Sequence, residues 1–182
     1  ELLYEDDKVM IRTIPLQHRV YTNGFLFQEK EGERRLNMDA IAQYPEIEVC
    51  DYQNIKNGKD ITLENGKTIA NTELTFEPHR PQSYAYCSDT VYLEDLATEI
   101  QGTRVIYHES TFLKINEELA TKTMHATAYQ AGLVAKNAQA EALILGHYSS
   151  RYPDVNMFKQ EAQEVFKNVL LAEDGKKFVF EN

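Results

Sequence analysis

From residue 83 onward the sequence alternates short apolar runs with stretches of helical spacing, and that alternation leaves few folds open. Ser83–Cys87 (SYAYC), Arg104–Tyr107 (RVIY) and Ala142–Leu145 (ALIL) each have the length of a core strand. Helical patterns cover about Tyr92–Ile100, closed by Gly102, and Ala126–Gln139. A last amphipathic helix is expected over Asn156–Leu171, and a terminal strand over Phe178–Phe180. Strands alternating with helices place residues 83–182 in the α/β class.

The first 82 residues read differently. Lys8–Ile14 alternates as a strand does, and Gly24–Glu29 (GFLFQE) follows an Asn23-Gly24 turn as a second. Arg35–Tyr44 has helical spacing at Leu36, Ala40, Ile41 and Tyr44, and Pro45 stops it. Asp60–Ile69 (DITLENGKTI) predicts a surface hairpin about Asn65-Gly66. With no repeat and no linker, residues 31–81 read as an inserted arm rather than a separate domain.

Composition narrows the class further. A chain of 182 residues, 42% apolar and 26% charged, is one globular domain in length and is not a disordered tail. No apolar run approaches the roughly 18 residues of a membrane span. Nineteen basic against 29 acidic residues give a net charge of −10, which argues against coating nucleic acid by bulk charge. A local basic patch, or a site whose bound cations supply the positive charge, stays open. Cys50 and Cys87 offer neither a disulfide framework nor a metal knuckle, so a reducing, cytoplasmic setting is expected. The chain opens at Glu1 in sequence that already reads as folded, without a start methionine or targeting signal, and an upstream segment is expected to be missing.

The histidines carry the functional argument. His18, His108 and His147 sit at or after the ends of predicted strands, Asp89 follows SYAYC, and His125 lies on the loop into a helix. Any one of these is weak, since a strand-end histidine is commonly structural and an aspartate before a helix is commonly an N-cap. Together they have the pattern of an open α/β active site. His18, Asp89 and His147 offer two imidazoles and a carboxylate, a set that suits zinc or manganese. His108-Glu109 and His125 supply acid–base groups alongside. His79 reads as a surface-loop residue, and Cys87 and Met124 as packing.

Four segments in order, Tyr86-Cys87-Ser88-Asp89-Thr90, His108-Glu109-Ser110-Thr111-Phe112, His125-Ala126-Thr127 with Gln130-Ala131, and Gly146-His147-Tyr148-Ser149-Ser150-Arg151-Tyr152, resemble the C-terminal half of ribonuclease Z. That family is the tRNA 3′-processing endonuclease of the metallo-β-lactamase superfamily, and the spacing agrees back to Pro15-Leu16-Gln17-His18. The resemblance implies the C-terminal αβ half of an αβ/βα sandwich, with residues 31–81 as a tRNA-gripping, exosite-like arm. It makes His18 a ligand of one zinc, His147 of the other, and Asp89 the bridge. Two such cations polarise the phosphate and lower the pKa of a shared water. It makes His125, held by Glu109, the proton donor to the leaving 3′ oxygen, because a carboxylate behind an imidazole fixes its tautomer and favours the cationic ring. Arg151 and Arg80 become phosphate contacts. The implied partners are a tRNA precursor and a second copy of the chain, as a homodimer.

The departures shape the expectation. The family's His-x-His-x-Asp-His motif is absent, and no two histidines here are closer than 17 positions. Two ligands per ion are too few for a tight zinc site. The chain alone is therefore expected to be inactive or nearly so, with one sheet face exposed for self-association or for the missing N-terminal half. Ser88 stands where a glycine is usual. The arm carries the acidic Pro45-Glu46-Ile47-Glu48-Val49 in place of a Gly-Pro-rich stretch, with Lys56, Lys59 and Lys67 as a weak basic edge. Two rivals remain: another phosphodiesterase or sulfatase of the same superfamily, and a non-catalytic module that binds RNA or dimerises.

Overall fold

Three strands open the chain: β1 (Leu2–Glu5), β2 (Val9–Pro15) and β3 (Asn23–Glu29), paired antiparallel in sequence order. In this computed structural model, which describes residues 1–180, the chain next forms a second compact unit over residues 30–81 before the sheet resumes. That unit contains β4 (Arg35–Leu36), α1 (Met38–Ile41), α2 (Tyr52–Lys56), β5 (Ile61–Thr62), β6 (Thr68–Ile69), α3 (Asn71–Leu74) and β7 (Thr75–Phe76). Its core is Ile41, Ile47, Ile55, Leu63, Ile69 and Leu74. The expected hairpin is present, with β5 and β6 antiparallel and the Leu63 amide donating to Lys67 O at 2.9 Å. The lysines of the expected basic edge are engaged locally. Lys56 pairs with Glu33 at 3.7 Å, Lys59 donates to Asn54, and Lys67 lies over the Tyr44 ring.

Residues from 82 onward complete the first unit. They form β8 (Ser83–Cys87), α4 (Leu96–Glu99), β9 (Val105–Glu109), α5 (Glu117–Thr123), α6 (Ala128–Asn137), β10 (Ala142–Gly146), α7 (Asn156–Ala162) and β11 (Val169–Leu171). The sheet runs β1-β2-β3-β8-β9-β10-β11. β3 meets β8 antiparallel, and β8 to β11 are parallel. Because strand side chains alternate between faces, Cys87, Ile106, Leu143 and Leu145 go to one side, in a core with Ala131, Val134 and Phe158 from α6 and α7. Val105, Ala142 and Ile144 go to the other, with Tyr84, Tyr107, Phe178 and Phe180 packed against them. α6 starts in a capping box, Thr127 Oγ1 accepting from Gln130 N at 3.2 Å while the Gln130 side chain accepts from Thr127 N at 2.9 Å.

Several elements depart from the sequence reading. Arg35 and Leu36 form a strand with β7, so the helix expected over Arg35–Tyr44 is a single turn capped by Asn37. The helix expected over Tyr92–Ile100 is α4 alone. The last helix ends near Ala162, and Val169–Leu171 pairs with β10, because a short apolar run satisfies a buried parallel strand as well as a helix. Phe178 and Phe180 pack on the sheet without forming a strand. β1 and α5 were not foreseen: both are short, and β1 is exposed throughout.

Candidate active site

β2 and β8 to β10 point the same way, so their C-terminal ends share one edge of the sheet. Asp89 lies two residues past β8, Glu109 ends β9, His147 follows β10, and His18 lies three residues past β2. His125 precedes the N-cap of α6. Asp89 caps no helix, since the N-cap of α4 is Asp95. Asp89, Glu109, His125 and His147 offer ligand atoms that all lie within 4.8 Å of one another. The His18 ring lies 4.8 Å, centre to centre, from His125, which lies 5.3 Å from His147.

Glu109 has no exposure and organises the cluster. Its Oε1 accepts from Thr90 N and from His125 Nδ1, both at 2.8 Å. Its Oε2 accepts from Thr111 N at 3.2 Å and from the Thr111 hydroxyl at 2.6 Å. With its proton given to Glu109, Thr111 Oγ1 accepts from His147 Nδ1 at 2.8 Å. His18 Nδ1 donates to the Met124 carbonyl at 2.8 Å. Each of the three imidazoles therefore carries its proton on Nδ1, and in the neutral ring Nε2 keeps a lone pair. For His147 that nitrogen lies 3.2 Å from Asp89 Oδ1. Imidazole and carboxylate donors with the other ring nitrogen held from behind are the chemistry a zinc-type ion requires, so the residues present fit such an ion.

The backbone around the cluster is unusual. Asp89, Met124 and His147 have φ of 52°, 61° and 60°, in the left-handed region. Aspartate and histidine are among the side chains that enter that region most readily, and Met124 does so as the C-cap of α5. Before His147, a Cβ on Gly146 would overlap the Tyr107 hydroxyl, so only glycine admits that ring.

His108 stands outside the site. β9 continues through it, and its ring is wholly buried with Nδ1 2.7 Å from Glu109 O. Burial holds its pKa below the ordinary value, so it is not an acid–base group in the cluster. Burial pushes the Cys87 thiol up to about 12, which leaves it inert. Arg151 is exposed, bonded to Ser149 Oγ, with its guanidinium 5.1 Å from the Phe112 ring centre, itself 6.2 Å from His125. Arg80 and the exposed His79 belong to the unit of residues 30–81. Sequence reasoning missed Thr111, Thr90 and the Met124 carbonyl; the available signal was a hydroxyl two residues after the buried glutamate.

No family model matches the chain. Ribonuclease Z of Phocaeicola vulgatus is 43% identical over 182 residues, which is 100% of this chain and 59% of that protein. Ribonuclease Z of Porphyromonas gingivalis is 41% identical over 173 residues, 95% of this chain and 57% of its own length. The chain thus spans less than two thirds of the curated relatives it matches, and corresponds to their C-terminal part. Among solved structures, the metallo-β-lactamase fold protein YhfI from Bacillus subtilis matches with a TM-score of 0.62 at 17% identity, over 100% of this chain and 52% of that one. Human tRNase Z, short form, matches with a TM-score of 0.56 at 19% identity, over 95% of this chain and 44% of that one. The fold is therefore the expected one, part of a metallo-β-lactamase-type structure.

Proposed function

From this kinship with the C-terminal part of ribonuclease Z, we propose that the chain carries one half of the catalytic centre of a zinc-dependent endoribonuclease that removes the 3′ trailer from tRNA precursors. The observation that carries the reading is the set of three imidazoles, each tied through Nδ1, beside two carboxylates, with Nε2 of His147 3.2 Å from Asp89 Oδ1. In this reading His18, Asp89 and His147 hold zinc, with manganese as the substitute. The bound ions supply Lewis-acid polarisation of the phosphodiester and a water acidic enough to ionise near neutral pH.

The chain's own residues do the rest. His125 delivers a proton from Nε2 to the leaving 3′ oxygen, while its Nδ1–H stays on Glu109. Glu109 is held by Thr90 and Thr111, so the donor cannot turn away during the reaction. Arg151 and Arg80 take backbone phosphates, and residues 31–81 act as the tRNA-gripping arm. The working assembly is a cytoplasmic homodimer, and two ligands per ion leave this chain alone inactive or nearly so.

Elemental analysis of the purified chain, without chelator, is the first test. Zinc close to zero per chain, restored when the remaining length of the relatives is supplied, supports the half-site. In that reconstituted protein, cleavage of a 3′-extended tRNA should fall about 10²- to 10⁴-fold in His125→Ala. Cleavage of a small diester but not of the tRNA would move the function to another phosphodiesterase.

A further inference from the structure

Beside the imidazoles opens a cavity of about 470 Å³, bordered by His18, Arg19, Lys122, Thr123 and His125. The mechanism above gives it no occupant. Arg19 and Lys122 are exposed, and among the described residues neither side chain has a hydrogen bond or ion pair.

The chain brings the two cations together by a specific device. The bond from His18 Nδ1 to Met124 O ties the loop after β2 to the end of α5. Arg19 is the next residue after His18, and Lys122 lies two before Met124. Met124, at φ 61°, ends α5 and turns the chain back toward His125. The contact that leaves His18 Nε2 uncommitted thus also sets both cations on the cavity that His125 borders. Lys122 also complements the C-terminal end of α5; Arg19, on a loop, has no such role.

We propose that Arg19 and Lys122 clamp a backbone phosphate of single-stranded RNA on the leaving-group side of the scissile bond. This rests on the nuclease reading, because the cavity shares His125, the proton donor to the leaving oxygen. Cations that contact the phosphate backbone position a strand without selecting its sequence.

The test is binding of a fluorescein-labelled uridine octaribonucleotide to the full 182-residue chain, by anisotropy across a salt series without added metal. The comparison is wild type, Arg19→Gln with Lys122→Gln, and Lys136→Gln, an exposed lysine of α6 outside the cavity. Both variants replace exposed side chains, and circular dichroism is used to check that each is folded. A neutralised phosphate contributes ~0.7 to the slope of log K against log salt, so the double variant, which frees the one clamped phosphate, should bind more weakly with a slope shallower by about 0.7. Lys136→Gln should match wild type. An unchanged slope in the double variant, an equal change in Lys136→Gln, or no binding by wild type would each overturn the clamp. None of these outcomes involves metal or cleavage, so the clamp can fail while the nuclease reading stands. A reconstituted protein that cleaves no RNA, with the slope effect intact, would sink the nuclease reading instead.

Discussion

A carboxylate wholly removed from water needs donors on both oxygens, and Glu109 has four: two backbone amides, the Thr111 hydroxyl and His125 Nδ1. Thr111 passes this order on to His147. Thr111→Val keeps the shape and removes the hydroxyl, so His147 loses its rear partner and Glu109 one donor. In the reconstituted protein, zinc affinity read by chelator competition should fall about 10- to 100-fold and be largely restored in Thr111→Ser. The valine variant should also lose about 1–3 kcal/mol of stability for the underbonded carboxylate. His108 gives a second prediction. Its folded pKa is lowered by burial, so the unfolded chain takes up the proton first as pH falls. The stabilisation is therefore complete above the ordinary value of 6.5 and is lost on acidification, by at most about 1.4 kcal/mol per pH unit. Metal-free thermal melts from pH 7.5 to 5 should fall more steeply for wild type than for His108→Leu. Equal slopes would mean that the buried ring already carries its charge.

Among the elements, α6 bears two positions where helix propensity and tertiary structure disagree. Gly132 lies mid-helix, where alanine is favoured by about 1 kcal/mol. A Cβ there would meet Val165 Cγ2 at 2.8 Å and Ala162 O at 2.9 Å, at the contact with the end of α7. Gly132→Ala should therefore destabilise, since overpacking costs about 1–3 kcal/mol. Gln139, just past the same helix, is exposed with φ at 57°. Gln139→Gly should stabilise by about 0.5–1 kcal/mol, because the left-handed residue no longer strains a Cβ. Urea denaturation of both variants checks the pair; the opposite ordering would show that propensity outweighs packing here.

On the scale of the whole molecule, the sheet face opposite the helices is the feature with the widest consequence. Phe27 and Tyr84 stack there with ring centres 6.0 Å apart, beside a cavity of about 520 Å³ that Val105, Ile144, Phe178 and Phe180 also line. Phe27 and Tyr86 are each 37% exposed, which is a large aromatic surface to leave in water. The isolated chain should associate with rising concentration in sedimentation velocity, and Phe27→Glu should shift it toward monomer. A wild-type chain that stays monomeric at all concentrations would show that the tail residues Phe178 and Phe180 cover the face well enough.

What the sequence determined by itself was the set of local, strongly patterned features. SYAYC, RVIY and ALIL are strands because buried parallel strands are nearly continuous apolar runs. Asp89, Glu109 and His147 could be picked out because strand ends on one edge of a sheet gather whatever follows them, and His125 because it lies on the loop into a helix. Tertiary structure alone decided the rest. Val169–Leu171 is a strand because β10 had an open edge, and His108 left the site because β9 ran two residues further than its apolar run. Thr111 and the Met124 carbonyl acquired their tasks only when their partners, 36 and 106 residues away, were brought to them. Periodicity reports which face a residue takes; it carries no information on the distant donor or acceptor that folding delivers to it.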